Sequence, residues 1–274
     1  MMNMEPKTKK QEVHDFWNEA ACGEDLYLQS ADRTGYEAQA EMRYRLEPVI
    51  PAFADFASAR GKKVLEIGVG LGADHQRFAE AGADLYGIDL TERAVEHTRR
   101  RLALFGLSSN LAVGDAENLD FPDESFDRVY SWGVLHHSPD TPKAVREVYR
   151  VLKHGGGAKI MIYHKWSMVG AMLWLRYALF AGRPWRSLRS IYAAHLESPG
   201  TKAYSVSEAR KMFYSFGEVK ISTPLGHGDL LESDAGQRHR GAALTLAKKI
   251  WPRRVIRRFL PAAGLGMLIE ARKL

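Results

Sequence analysis

KVLEIGVGLGA, residues 63–73, opens with an apolar run and closes with glycines at Gly68, Gly70 and Gly72. Such a run reads as a buried strand that turns sharply into a helix. Glycines allow the tight turn and a close backbone approach to a ligand, and the following helix offers its free N–H groups. Working outward, DHQRFAEAG (74–82) reads as that helix, closed by Gly82, and DLYGIDL (84–90) as a second strand. TERAVEHTRRRLALFG (91–106) is a helix with Thr91 as N-cap and Gly106 as its stop. NLAVGDA (110–116), FDRVYSWGV (126–134) and AKIMIYH (158–164) read as strands, with PKAVREVYRVLKHGG (142–156) as the helix before the last. This alternation predicts a doubly wound α/β fold, a parallel sheet with helices on both faces and ligands at the carboxyl ends of its strands.

Around this core, residues 1–60 read as an N-terminal helical cap with a loop near Cys22 to Thr34, and 61–274 as the core proper. Residues 165–203 and 227–262 interrupt the pattern and read as helical insertions forming a lid or acceptor-binding region. VSEARKMFYSF (206–216) is expected as a helix, and EVKISTPL (218–225) and LGMLIEARK (265–273) as strands. At 274 residues and 45% hydrophobic the chain can bury a substantial core, which suits one enlarged domain. The single cysteine, Cys22, excludes an internal disulfide, and the polar start MMNMEPKTKK lacks the apolar run of a leader, so a cytoplasmic location is expected. The net charge of +6 is concentrated late, with 17 Lys and Arg against 7 Asp and Glu in residues 182–274. That excess can attract nucleic acid, anionic lipid or an acidic substrate, or simply form a solvated face.

The glycine turn alone also satisfies the dinucleotide fingerprint, through Gly68, Gly70 and Ala73. Asp89 ends the second strand, where a carboxylate can accept ribose hydroxyls, and Asp115 ends the third, where one can accept from an adenine amine or cap a loop. Taken together, LEIGVGLG (65–72), GIDLT (87–91), GDAENLDFPDESFDRVYSWGVLHHSPD (114–140) and LKHGGGAKIMIYH (152–164) resemble the successive motifs of class I S-adenosylmethionine-dependent methyltransferases, most closely the type 11 group. The resemblance covers roughly residues 60–165, with weaker likeness in FWNEAACG (16–23). It implies a Rossmann-like methyltransferase sheet and S-adenosylmethionine as cofactor. Glu66 through Gly72 would hold its methionine part, Asp89 with Leu90 the ribose, Asp115 with Ala116 the adenine, and Ser131 to Gly133 would pass beside the sulfonium. Glu66 before the first glycine, joined with the later Gly-Asp-Ala, argues against the alternative of an NAD-dependent oxidoreductase. A cofactor-binding regulatory protein without turnover is the second alternative.

Methyl transfer from a sulfonium is an in-line displacement on an activated carbon, so positioning supplies much of the rate and a base is optional. If a proton must leave, His is the side chain most easily poised near neutral pH. His164 after the fifth strand is the preferred base, with His137 next; Tyr163 is placed to orient the acceptor, and packing is the better account of His136. Trp17 and Trp132 read either as cation–π faces for the sulfonium or as pocket wall. The histidines lack metal-ligand spacing, so no metal is expected. Ser131-Trp132-Gly133-Val134 also lacks the Asn/Asp-Pro-Pro-aromatic run that resembles DNA amino-group methylation.

Residues 166–181 are strongly apolar but too short to span a bilayer and are interrupted by Arg176. Trp251, Val255, Ile256, Phe259 and Leu260 share one helical face, with Arg253, Arg254, Arg257 and Arg258 on the other and Pro252 in the first turn. Either both segments cover an apolar pocket, or the stretch from Arg238 to Arg258, basic and free of acids, holds an anionic membrane surface such as the inner membrane face. Both readings favour a small apolar or amphipathic methyl acceptor, with Glu197, Lys202 and Tyr204 as candidate polar contacts.

Overall fold

The computed structural model describes residues 7–232, 248–249 and 251–274. Its centre is a seven-stranded sheet in the order β3-β2-β1-β4-β5-β7-β6. The strands are β1 (Lys63–Ile67), β2 (Asp84–Asp89), β3 (Asn110–Val113), β4 (Phe126–Trp132), β5 (Leu152–Tyr163), β6 (Glu218–Ser222) and β7 (Gly266–Arg272). β1 to β5 pair in parallel, whereas β7 runs antiparallel to both β5 and β6. The chain order reverses at β1, with β2 on one side and β4 on the other. There the loops after the strands part and leave a crevice.

The two faces are covered by different helices. The helix Thr141–Val151 turns Ala144, Val145, Val148 and Val151 inward at helical spacing, all buried against Leu65, Val129 and Ile160. Each such valine contributes about 1.5–3 kcal/mol relative to exposure. On the other face, Phe53 and Phe78 pack on Val64, Leu85 and Tyr130. The expected helix through Gly156 stops earlier, at Val151, and Leu152 already pairs with Phe126. Glycines in series weaken a helix, and Gly155 has φ +77°, so this stretch becomes a bulged strand start. The third strand ends at Val113; Gly114 to Ala116 instead form the turn into Asn118.

The N-terminal helices Lys9–Glu19 and Arg33–Leu46 lie over the crevice and are clamped by buried charge. Arg101, 1% exposed, donates to Gln76, Gln39 and the carbonyls of Leu71 and Tyr36, so one of three consecutive arginines joins cap to core. The first insertion carries its own small core of Leu173, Ala178, Ile191 and Tyr192. Its helix Met168–Trp174 starts at Ser167, passes into a π turn at Leu175–Leu179, and is followed by Leu188–His195. The tyrosine hydroxyl of Tyr192 reaches Ser167 Oγ and the Lys165 carbonyl, both at 3.0 Å. Part of the expected second insertion, residues 233–247 and 250, lies outside the described residues.

Candidate active site

The crevice is a cavity of about 250 Å³ at the carboxyl ends of β1, β2 and β4. Its floor is the turn Glu66 to Ala73, in which Gly68, Gly70 and Gly72 all have positive φ. A Cβ on Gly68 would lie 2.1 Å from Val134 Cγ2, so only glycine fits. A Cβ on Gly70, at φ +53°, would meet nothing within 4 Å, which leaves the space beside this half-buried backbone open to a ligand.

Asp89 forms the side wall. One carboxylate oxygen accepts the Gly70 N–H at 3.2 Å, and the other accepts the N–H and hydroxyl of Thr91 at 3.1 and 3.0 Å. Burial pushes its carboxyl up, and these donors oppose that shift. Asp115 is held at the opposite end, where it accepts Lys10 Nζ at 2.5 Å and the Glu117 N–H at 2.9 Å. Lys10 also reaches Glu117 at 2.9 Å, so the first helix of the cap is latched to this end of the cavity.

Glu66 faces His75 Nδ1 at 2.9 Å, and His75 Nε2 lies 2.8 Å from Ser109 Oγ, which donates its only proton to the Leu85 carbonyl. His75 Nε2 must then be the donor to Ser109. Burial pushes the imidazole down to about 3 and the Glu66 carboxyl well up, which leaves His75 neutral and the proton of the pair on Glu66. Asp74 is buried beside it and stays ionised, since Arg43 grips both its oxygens at 3.1 and 2.6 Å and Tyr44 and Tyr130 donate at 3.0 and 2.9 Å.

The remaining wall is aromatic and acidic. Trp17, Trp132, His137, Tyr163, Glu47 and Glu197 all line it. Trp132 Nε1 donates to Glu47 at 2.7 Å, and His137 Nε2 lies 3.2 Å from Glu197. His137 Nδ1 is 2.8 Å from Ser198 Oγ and 3.2 Å from Thr201 Oγ1, so both imidazole nitrogens are engaged. Glu197 also acts on Tyr163: burial first, and that carboxylate second, push its hydroxyl well above the ordinary range.

Residues 65–159 match the family model described as a methyltransferase domain. Phosphoethanolamine N-methyltransferase 2 of Caenorhabditis elegans is 36% identical over 119 residues, 43% of this chain and 27% of that protein. Sterol 24-C-methyltransferase erg6 of Aspergillus fumigatus is 33% identical over 114 residues, 40% of this chain and 29% of its own length. The solved structure of the YcgJ protein of Bacillus subtilis superposes with a TM-score of 0.54 at 20% identity, covering 83% of this chain and 99% of that one. Over residues 65–159 this chain is similar to methyltransferase domains, and its sheet has the fold of the YcgJ structure. The chain spans 27–54% of the length of the curated relatives it matches, and those relatives' names carry different acceptors. The matches favour methyl transfer over hydride transfer.

The structure brings Glu66, Gly68, Gly70, Gly72, Asp89, Leu90, Asp115, Ala116, Trp17, His137 and Tyr163 to one cavity. Two expected residues are elsewhere. Ser131 is fully buried and donates to the Ile67 carbonyl at 2.9 Å, beneath the cavity floor. His164, the preferred base from sequence, leaves the cavity wall: its strand partner is Tyr204 and its Nδ1 lies 3.2 Å from the Gly264 carbonyl. Alternation along β5 explains this, because Tyr163 and His164 must point to opposite sides. His136 is fully buried, with no hydrogen-bond partner for either nitrogen among the described residues and with its ring 3.9 Å from that of Tyr163, so burial holds it neutral. His136, His137 and Glu197 have donor atoms within 4.8 Å of one another, but His137 already spends its nitrogens on Glu197 and Ser198. Sequence reasoning missed Lys10, Arg43, Glu47 and Asp74. Of these only Asp74, next to the glycine turn, had a local signal, and it read as an ordinary acid in a first helical turn.

Proposed function

We propose that this protein transfers a methyl group from S-adenosylmethionine to a small amphipathic molecule. The observation that carries the reading is the open backbone at Gly70 beside Asp89, in a methyltransferase core whose cavity continues into an aromatic wall. In this reading the Glu66–Gly72 turn holds the methionine part, Asp89 and Leu90 the ribose, and Asp115 and Ala116 the adenine. A carboxylate has about four acceptor sites, so Asp115 can keep Lys10 and still receive an amine N–H. The cofactor supplies a methyl group already activated by a sulfonium. The chain's own work is to orient the acceptor, exclude water and take up a proton where one must leave. Glu197, with His137 beside it, lies on the wall where that proton would go, and Tyr163 would orient the acceptor; His164 lies off that wall. Calorimetry with S-adenosylhomocysteine and with NAD tests the cofactor: micromolar binding of the former is expected, and binding of NAD alone would sink the proposal. Incubating the protein with cell extract and labelled S-adenosylmethionine separates an enzyme from a silent binding protein, for which no label would enter any fraction.

A second proposal concerns where the acceptor is met, and the exposed aromatics favour an anionic membrane surface. Phe180 is 81% exposed and Trp185 79% on the first insertion, with Trp166 at 61%, and Phe259 is 72% exposed on the helix Arg253–Phe259. In that helix only Ile256 is buried, whereas Val255, Phe259 and Leu260 are exposed beside Arg254 and Arg258, an arrangement that suits lipid contact better than a lid. Among the described residues no helix is long and apolar enough to cross a membrane. Arg253 donates to the Leu230 and Leu231 carbonyls at 2.8 and 2.9 Å, so it holds the tail in place rather than lipid. Sedimentation with vesicles of phosphatidylglycerol and phosphatidylcholine should recover the protein at low salt, and Arg254→Glu with Arg258→Glu should release it. Failure to sediment at low salt would retire the proposal.

A further inference from the structure

We infer that the aromatic and acidic end of the cavity is a site for a protonated amine, and that Glu197 is the residue that holds its ammonium group. The inference rests on the methyl-transfer reading and names the class of acceptor. It begins with a surplus of negative charge. Asp74 is matched by Arg43, and Asp115 by Lys10. Among the described residues, neither Glu47 nor Glu197 has a lysine or arginine within ion-pair distance; burial pushes the Glu47 carboxyl up, with Arg43 and the Trp132 indole opposing that shift, while Glu197 faces only the His137 imidazole and the Tyr163 hydroxyl, so the surplus rests on Glu197. Two carboxylates sharing one partly desolvated wall are costly unless a cation joins them.

The same wall presents Trp17 and Trp132, whose ring faces attract an ammonium and tolerate an alkyl chain. An acid cluster by itself would only be solvated; set among aromatic rings inside a cavity it discriminates. Tyr163 reports how. Its hydroxyl is pushed well up by burial and by Glu197, and the same two influences would act on a phenol or alcohol brought to this place. An oxygen acceptor would therefore be hindered from giving up its proton.

For an amine burial runs the other way, because it disfavours the ammonium and favours the neutral form that can attack. The ammonium passes one proton to Glu197, which becomes a carboxylic acid, and the freed lone pair forms the N–C bond while the C–S bond breaks with its electron pair left on sulfur. The positive charge of the sulfonium thereby moves to nitrogen, where Glu47 and the tryptophan faces meet it. His137 is a positioning residue here: its Nε2–H reaches Glu197 at 3.2 Å while Ser198 satisfies Nδ1 at 2.8 Å.

Calorimetry on the whole chain, saturated with S-adenosylhomocysteine, tests this with n-octylamine and 1-octanol as probes. Octylamine is expected to bind at least tenfold more tightly than octanol, and Glu197→Gln should erase that preference while S-adenosylhomocysteine affinity stays within twofold. Glu47→Gln, a second variant on another element, should reduce the preference by a smaller factor. Equal binding of the two probes, or a preference untouched in both variants, overturns the ammonium site. If S-adenosylhomocysteine fails to bind the unaltered chain, the methyl-transfer reading itself has failed. If it binds and octylamine does not, only the ammonium site has.

Discussion

The two ends of the cavity are built in different ways. The end with Gly68, Gly70 and Asp89 comes from two adjacent strands and the turns that follow them, and most of its surface is backbone held by the β1–β2 register. The end with Trp17, Glu47, Tyr163 and Glu197 draws single side chains from the cap, from β5 and from the first insertion. A site made of backbone requires glycines at fixed spacing and so leaves a motif. A site made of side chains from distant segments requires only that the segments meet, and many sequences achieve that. The difference accounts for relatives that are 36% and 33% identical over 119 and 114 residues while their names carry phosphoethanolamine and a sterol.

The sharpest way to break the first end is Gly68→Ala. The residue has φ +84°, and the added methyl would meet Val134 at 2.1 Å, so strain and overpacking together should cost about 3 kcal/mol. Chemical denaturation should record that loss, and an unchanged midpoint would mean that the turn relaxes freely. Asp89→Ala comes next. It should leave the fold standing but weaken S-adenosylhomocysteine binding by more than about 1.5 kcal/mol, because charge-assisted hydrogen bonds to a ribose would be lost. Octylamine binding without cofactor should survive it, which would separate the two ends; an unaltered cofactor affinity would put the ribose elsewhere.

A smaller effect is expected from acid, and it should fall first on the contacts between cap and core. Arg93 holds the Glu24 carboxyl down to about 2 against the opposing effect of burial. Burial also raises Glu117, but the Asp140 N–H, the Ser138 hydroxyl and Lys10 together bring it down to about 2. Both folded values lie below the ordinary glutamate value of about 4.3, so this stabilisation is present above that pH and disappears as pH falls towards 2. Limited proteolysis between pH 6 and 3 should therefore cut the Lys9–Glu19 region before the sheet. Simultaneous cleavage of both would show that the cap is no weaker than the core.

How far the sequence could be read follows from the same contrast. The glycine turn, the Thr91 N-cap and the acid at the end of β2 were legible because each is a local answer to a local backbone demand. Arg101 was not, since it sits in a run of three arginines that looks solvated and only the cap makes it buried. Nor was the difference between Tyr163 and His164 resolved: one ends β5 and the other follows it, and the placing of one inside and the other outside depends on the face against which the sheet is covered. The sequence by itself thus determined the alternating fold and the glycine-turn end of the cavity, whose form lies in short segments with strict steric needs. Only the tertiary structure decided that Glu47 from the cap and Glu197 from the insertion share a wall, because nothing local in either segment encodes a meeting across 150 residues.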